Sequence, residues 1–287
     1  MSSFRIFRSV SFCVATSVLF SATVVSSATV TFDGQTDTDW NTASNWIPTA
    51  PNSRDVARVF GEVVEISGGS AIAGYIDVRE AGTLNVTGGS LTFGFDDDRW
   101  MWVGLHTPGT VNQTGGIVAS SGKNVDLFVD SFGTYNLTDG TLEVSDDLRL
   151  EGDAVFHVSG NSTVNIGDDL RVPNGSSVEF NVELIGDVAP IINVSGDLVL
   201  RQTTTLNIDS TSWTGADAIT LFEVGNRVVR GFDRVTLDGI VVPPSQHQFS
   251  SGSMIIAIPE PTTLAMLATW LLVGMPIVRN ACRAGAR

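Results

Sequence analysis

GTYNLTDGTLEVSDDLRLEGD occupies Gly133 to Asp153, and its apolar residues come in pairs that straddle one polar residue. Tyr135 and Leu137 flank Asn136, Leu142 and Val144 flank Glu143, and Leu148 and Leu150 flank Arg149. Alternation with period two is that of a short strand with one face turned inward. Gly, Asp, Ser and Thr stand between the pairs, where the chain must bend. Three such strands in about 21 residues are too short for helices and too many for one hairpin.

The same phrase stands on both sides. GTLNVTGG begins at Gly82, GTVNQTGG at Gly109, AVFHVSGN at Ala154 and INVSGDLVL at Ile192. From Thr87 to Thr114, Thr138 and Ser159 the steps are 27, 24 and 21 residues. Inward pairs recur as Leu84/Val86 and Leu91/Phe93, as Phe156/Val158, Val164/Ile166 and Leu170/Val172, and as Ile192/Val194, Leu198/Leu200 and Leu206/Ile208. Setting Gly104 against Gly152 adds Trp100/Trp102 as inward residues above Leu148/Leu150, with Met101 and Arg149 facing out.

One repeat cannot bury its own apolar pairs, whereas stacked repeats bury a continuous column. The expected fold is therefore all-β, a single-stranded right-handed parallel β-helix, or β-solenoid. Layers about 4.8 Å apart and seven or so coils give a rod on the order of 35 Å. The repeats are expected over residues 61–215. Exposed strand edges at either end need covers. Residues 29–60, with Trp40 and Trp46, are the expected N-terminal cap, and residues 216–257 the C-terminal one.

Composition agrees with a folded body: 43% hydrophobic, 16% charged, 29 glycines. The 31 acidic residues outnumber 16 basic ones. Setting aside two arginines in the first ten residues, three in the last nine and Glu260 leaves 11 basic against 30 acidic. Such a body repels nucleic acid and anionic lipid, so no nucleic-acid partner is expected. The two cysteines, Cys13 and Cys282, lie near the termini. This excludes a disulfide scaffold, a zinc site or a cysteine nucleophile in the body.

Arg5 and Arg8 precede an uncharged run from Val10 to about Val25, and Ser26-Ser27-Ala28 supplies small residues for a signal peptidase. Residues 1–28 read as an export signal, helical in its apolar part and cut between Ala28 and Thr29. At the other end Pro259-Glu260-Pro261 leads into an uncharged run, 262–278, followed by Arg279, Arg283 and Arg287. As a helix that run reaches roughly 25 Å, barely a membrane span. Basic residues after it favour a cytoplasmic C-terminus and a body outside the inner membrane.

The order Pro-Glu-Pro, short span, basic end over residues 258–287 resembles the PEP-CTERM sorting signal of exopolysaccharide-producing bacteria. Here the arginines are spread rather than clustered, and Pro276 sits late in the span. The resemblance implies a transient partner, a membrane-embedded exosortase reading Pro259, Glu260, Pro261 and the three arginines. It also implies an inner-membrane intermediate, then delivery to the cell surface or extracellular matrix. The body is similar to the autotransporter-like β-helical bodies that accompany such tails, with no room for an outer-membrane barrel.

Candidate chemistry is sparse. Asp97-Asp98, Asp146-Asp147 and Asp168-Asp169 are paired acids that can stack, as a glycosidase or a Ca²⁺ site would require. They precede inward strands at equivalent points, which is how turn residues behave, and they match no calcium-loop pattern. His106, His157 and His247 share no ligand spacing, and His157 takes the place of Asn85 and Asn136. Those asparagines, with Asn112, and the threonines beside them suggest outer ladders. A regular threonine ladder would suit ice binding, but this column is irregular. No metal, cofactor or catalytic residue is expected. The expectation is a non-enzymatic structural or adhesive rod whose partner is an exopolysaccharide or matrix glycan. The alternatives are a polysaccharide lyase or hydrolase on the same fold and, behind it, an ice-binding protein.

Overall fold

The computed structural model describes residues 27–257, apart from 97, 202, 216, 217 and 251. The expected export signal up to residue 26, the expected sorting segment from residue 258 with Pro259, Glu260, Pro261, Arg279, Arg283 and Arg287, and Asp97 lie outside the described residues. No helix among the described residues is long and apolar enough to cross a membrane.

The chain is an all-β solenoid of about eight turns. Three faces carry the strands. The first face stacks Val56–Phe60, Tyr75–Arg79, Arg99–Val103, Val125–Val129, Leu148–Leu150, Leu170–Val172, Leu198–Leu200 and Val228–Val229, each parallel to the next. The second face is read most simply from one inward column. Leu84, Val111, Tyr135, Phe156, Phe180, Leu206 and Val235 lie in consecutive register. The third face places Leu91, Val118, Leu142, Val164 and Ile192 over one another. The drifting sequence interval is absorbed at the corners, so the register along the axis is kept.

All of these column residues are buried. Each buried aliphatic or aromatic side chain contributes about 1.5–3 kcal/mol relative to an exposed one, so each coil is held mainly by its neighbours. Where the second face turns into the third, Gly116 and Gly140 stand one above the other with φ of 69° and 95°. A Cβ on Gly140 would lie 2.5 Å from the Gly116 carbonyl oxygen, and one on Gly116 would lie 2.6 Å from that of Gly89. Left-handed backbone and lack of space both require glycine there.

The ends are closed by antiparallel pairing. Thr29–Phe32 pairs parallel with Val56–Phe60 and antiparallel with Trp46–Ile47. Trp40 and Trp46 are buried, and the Trp46 ring packs against both Phe32 and Trp40, with centroids 5.1 Å and 4.8 Å away. The Trp46 indole N–H donates to the Trp40 carbonyl at 2.8 Å. Buried Asn45 ties the connecting loop, accepting from the Thr36 and Asp37 N–H groups and donating to Asp37 Oδ1 at 2.6 Å. The Asn45 bond first, then the Asp39 N–H and the Thr42 hydroxyl that also donate to the Asp37 carboxylate, lower its pKa. At the far end Ala218–Val224 pairs antiparallel with Ser253–Ala257, which pairs antiparallel with His247–Ser250.

One expectation is corrected. On Arg99–Val103 the buried residues are Met101 and Val103, while Trp100 and Trp102 face outward and are half-buried. Met101 stacks on Leu127 and Leu127 on Leu148, so Trp102 lies over Phe128 and Arg149.

Candidate functional site

The outward side of the first face is the most varied surface of the rod. Two columns run along it, because residues two apart on each strand share a side. One passes from Trp100 to Asp126, Asp147, Asp169, Asp197 and Arg227. Its neighbour passes from Arg58 to Asp77, Trp102, Phe128, Arg149, Arg171, Val199 and Val229. The first changes from aromatic to charged at Asp126; the second begins charged, is aromatic at Trp102 and Phe128, charged again at Arg149 and Arg171, and aliphatic at Val199 and Val229.

In the aromatic half Tyr75, Trp100, Trp102 and Phe128 form a continuous run. Successive ring centroids are 4.8, 5.3 and 5.6 Å apart, mostly edge to face. Guanidinium groups lie over this surface: Arg99 at 4.2 Å from the Tyr75 ring, Arg149 at 5.1 Å from Phe128 and Arg79 at 4.5 Å from Phe60. These are cation–π distances.

In the charged half aspartates and arginines interlock between coils. Asp126 Oδ1 accepts the Asp147 N–H at 3.2 Å, Asp147 Oδ1 that of Asp169 at 3.1 Å, and Asp169 Oδ1 that of Asp197 at 2.6 Å. Asp197 Oδ1 accepts the Arg227 N–H at 3.1 Å. The remaining oxygens meet arginines: Arg149 bridges Asp126 and Asp147 at 3.1 and 3.0 Å, and Arg171 bridges Asp147 and Asp169 at 3.0 and 2.8 Å. The corner aspartates thus hold the backbone of the next coil rather than their own turn.

The paired acids expected from the sequence are brought together in part. Asp146 and Asp168 lie beside the ladder, and carboxylate oxygens of Asp146, Asp147 and Asp168 fall within 4.8 Å of one another. Asp169 continues the ladder. Asp98 does not join it: it precedes Arg99 with φ of 60°, and Trp100 takes the column position that Asp126 and Asp147 hold in later coils. Burial raises the Asp147 pKa against the opposing pull of the Asp169 N–H and the two arginines. Burial also raises Asp126 and Asp146, whose carboxyl groups share a hydrogen bond, and for Asp146 the nearby Asp126 charge adds to it. Arg149 and Arg171 compete with any cation for these oxygens.

The second face is chemically plainer. Asn112 donates to Asn85 Oδ1, and Asn136 to Asn112 Oδ1, both at 2.9 Å. His157 interrupts this asparagine ladder, and it resumes with Asn207 donating to Asn181 at 3.0 Å. His157 Nε2 is 3.9 Å from Glu183, and burial lowers its pKa despite that carboxylate. Thr83, Thr110 and Thr134 stack beside the asparagines until Val155 ends the column. His106 is exposed with φ of 63°, and His247 lies on the C-terminal antiparallel pair. The histidines therefore sit in three separate places.

Sequence reasoning missed two things here. Buried Gln113 accepts the Tyr135 hydroxyl at 2.8 Å and donates to the Thr141 carbonyl at 2.9 Å. The concentration of arginine on one face was also missed, although an arginine follows the inward leucine in both Leu148–Leu150 and Leu170–Val172. No family model matches the chain, nor does any curated protein or solved structure.

Proposed function

We propose that this protein is an exported, non-enzymatic structural or adhesive rod of the cell surface or exopolysaccharide matrix. An exosortase would sort it through Pro259-Glu260-Pro261 and the arginines that follow a short membrane helix over residues 262–278. The rod is wound right-handed, the hand that parallel strand crossovers almost always take. The observation that carries this reading is the fit between body and ends. The first strand of the solenoid begins at Thr29, just after the expected signal cleavage at Ala28, and its last strand ends at Ala257, just before the Pro-Glu-Pro tail. Closed ends and a ladder-bonded surface are what a passive rod needs to stay monodisperse and durable outside the cell.

The test compares the wild type with Pro259→Ala/Glu260→Ala/Pro261→Ala in the native host, by intact mass and fractionation. The expected result is a wild type lacking 262–287 at the surface and a full-length variant held in the inner membrane. If both keep the tail and stay with the inner membrane, the exosortase reading fails.

A second reading, a polysaccharide lyase or hydrolase, is favoured by one observation: the Asp126–Asp146 carboxyl pair with both pKa values raised, as a general acid requires. A panel of acidic and neutral polysaccharides, assayed for chain cleavage with wild type and Asp146→Asn, separates the two readings.

A further inference from the structure

We propose that the outward side of the first face binds an acidic, uronate-bearing polysaccharide lying along the rod axis. This rests on the matrix-rod reading and names the chemistry of its partner.

Charge distribution is the first ground. Strands of the first face carry five arginines (Arg58, Arg79, Arg99, Arg149, Arg171) against two aspartates. The described strands of the other two faces carry Arg234 alone against seven carboxylates: Glu65, Asp139, Glu143, Glu179, Glu183, Asp209 and Glu223. The ladder aspartates Asp147, Asp169 and Asp197 lie just outside these strand bounds, so arginines and carboxylates nearly balance on this face, and an anionic polymer is repelled there less than by the rest of this acidic body.

Spacing is the second. Arg149, Arg171, Arg201 and Arg227 come from four successive coils and line, with Glu151, Asp169 and Asp197 between them, an open groove of about 660 Å³. Coils repeat every ~4.8 Å; Arg149 and Arg171 stack in register, while Arg201 and Arg227 sit two strand positions to either side of the same column as it passes Val199 and Val229, so guanidinium groups are offered along the groove and across its width. Guanidinium is the side chain suited to a planar carboxylate, which it holds through two parallel hydrogen bonds. Donors remain for this purpose. Arg201 is exposed and pairs with no carboxylate among the described residues, and Arg227, bonded to Asp197 through Nη2, has a side chain 78% exposed.

The aromatic run is the third. Tyr75, Trp100, Trp102 and Phe128 continue the same strip toward the N-terminal end. The electron-rich faces of such rings attract the polarised C–H bonds of a sugar. Aromatic stacking gives sequence-tolerant grip along a polymer, as it does for bases. Rings toward one end, with guanidiniums along the strip, suit a chain with both apolar faces and carboxylates.

The full-length chain in detergent, titrated with polygalacturonate and with neutral dextran, tests this. The expected result is binding of polygalacturonate that weakens with added NaCl, because exposed charges are screened, and no comparable binding of dextran. Arg201→Glu/Arg227→Glu should weaken binding by about tenfold or more, about 1.4 kcal/mol, and Trp100→Ala/Trp102→Ala should weaken it as well. Asn112→Ala on the second face should leave it unchanged. Thermal unfolding of each variant shows that the fold is kept, and Trp100→Phe/Trp102→Phe should restore most of the aromatic loss. Equal binding of both polymers, no binding, or binding indifferent to the arginine and tryptophan variants overturns the proposal. Because sorting plays no part in this titration, a negative result leaves the tail experiment to decide the matrix-rod reading by itself.

Discussion

Two rows of aromatic rings run along this solenoid, one inside and one outside. Inside, Tyr135, Phe156, Phe180 and Phe232 follow one another at 5.7, 5.9 and 5.5 Å between centroids. All four are buried. Outside, Tyr75, Trp100, Trp102 and Phe128 are spaced almost the same, yet each is half-buried, and Tyr75 and Phe128 carry a guanidinium across the ring. Residue type and spacing do not distinguish the rows; the parity of each position along its strand does. In a stack of parallel coils every strand inherits that parity from the one beneath, so one register error turns a whole strand over.

The strongest way to break this comparison is to delete one ring from each row. Phe156→Ala is expected to cost about 3–5 kcal/mol, the loss of a buried aromatic plus the cavity left in the column. Trp102→Ala removes a larger ring but from a surface that relaxes into water, and should cost about 1 kcal/mol. Urea unfolding of the two variants measures both. Equal costs would mean that the outer row is core, and the case for a binding face on it would lose its aromatic half.

The same parity explains what could be read beforehand. Val86, Leu137 and Val158 follow their partners at two-residue spacing between glycine or aspartate bends, so coil and columns are legible where the pattern is clean. Arg99–Val103 is not clean, because apolar residues fill both sides of it. Glycine spacing aligns Gly104 with Gly152 there, but Val103 stacks on Val129 and Val129 on Leu150, which puts Gly104 level with Glu151. A slip of one residue sent both tryptophans to the wrong side. The arginine strip was hidden for a different reason. Arg149, Arg171, Arg201 and Arg227 are 22 to 30 residues apart, and only the register brings them onto one face. Net charge averages that face away.

A smaller effect sharpens the inner row. Tyr135 is its polar member, with burial pushing the phenol pKa up and the hydroxyl donating to Gln113. Tyr135→Phe keeps the ring but leaves Gln113 Oε1 without that donor in a dry site. The expected cost is about 1–3 kcal/mol, the price of an unmet buried acceptor. Gln113→Leu in the same background should recover part of it, since Val86 and Leu137 occupy the adjoining positions. If Tyr135→Phe is neutral, the inner row is held by its rings alone.

The smallest expected change has the opposite sign and lies where the outer row gives way to charge. Asp126, Asp146 and Asp147 all have raised pKa values in the fold, with burial as the leading cause. The folded state therefore holds protons that the unfolded chain releases near pH 4. Between that pH and the folded-state values, stability falls as pH rises, because the native state binds more protons than the unfolded one. At neutral pH the group is a source of strain, set against the arginines that bridge it. Asp146 is the member to change: its carbonyl accepts the Asp168 N–H, but its side chain has no part in the backbone ladder that Asp126 and Asp147 build. Asp146→Asn should raise the melting temperature slightly at pH 7. The gain should shrink as pH falls toward 4, because the raised pKa lets the wild-type carboxyl take up its proton. A gain of the same size at both pH values would point to packing rather than charge. A loss at pH 7 would mean that Asp146 holds the corner as firmly as its neighbours, and that the charged end of the face is as rigid as the core beneath it.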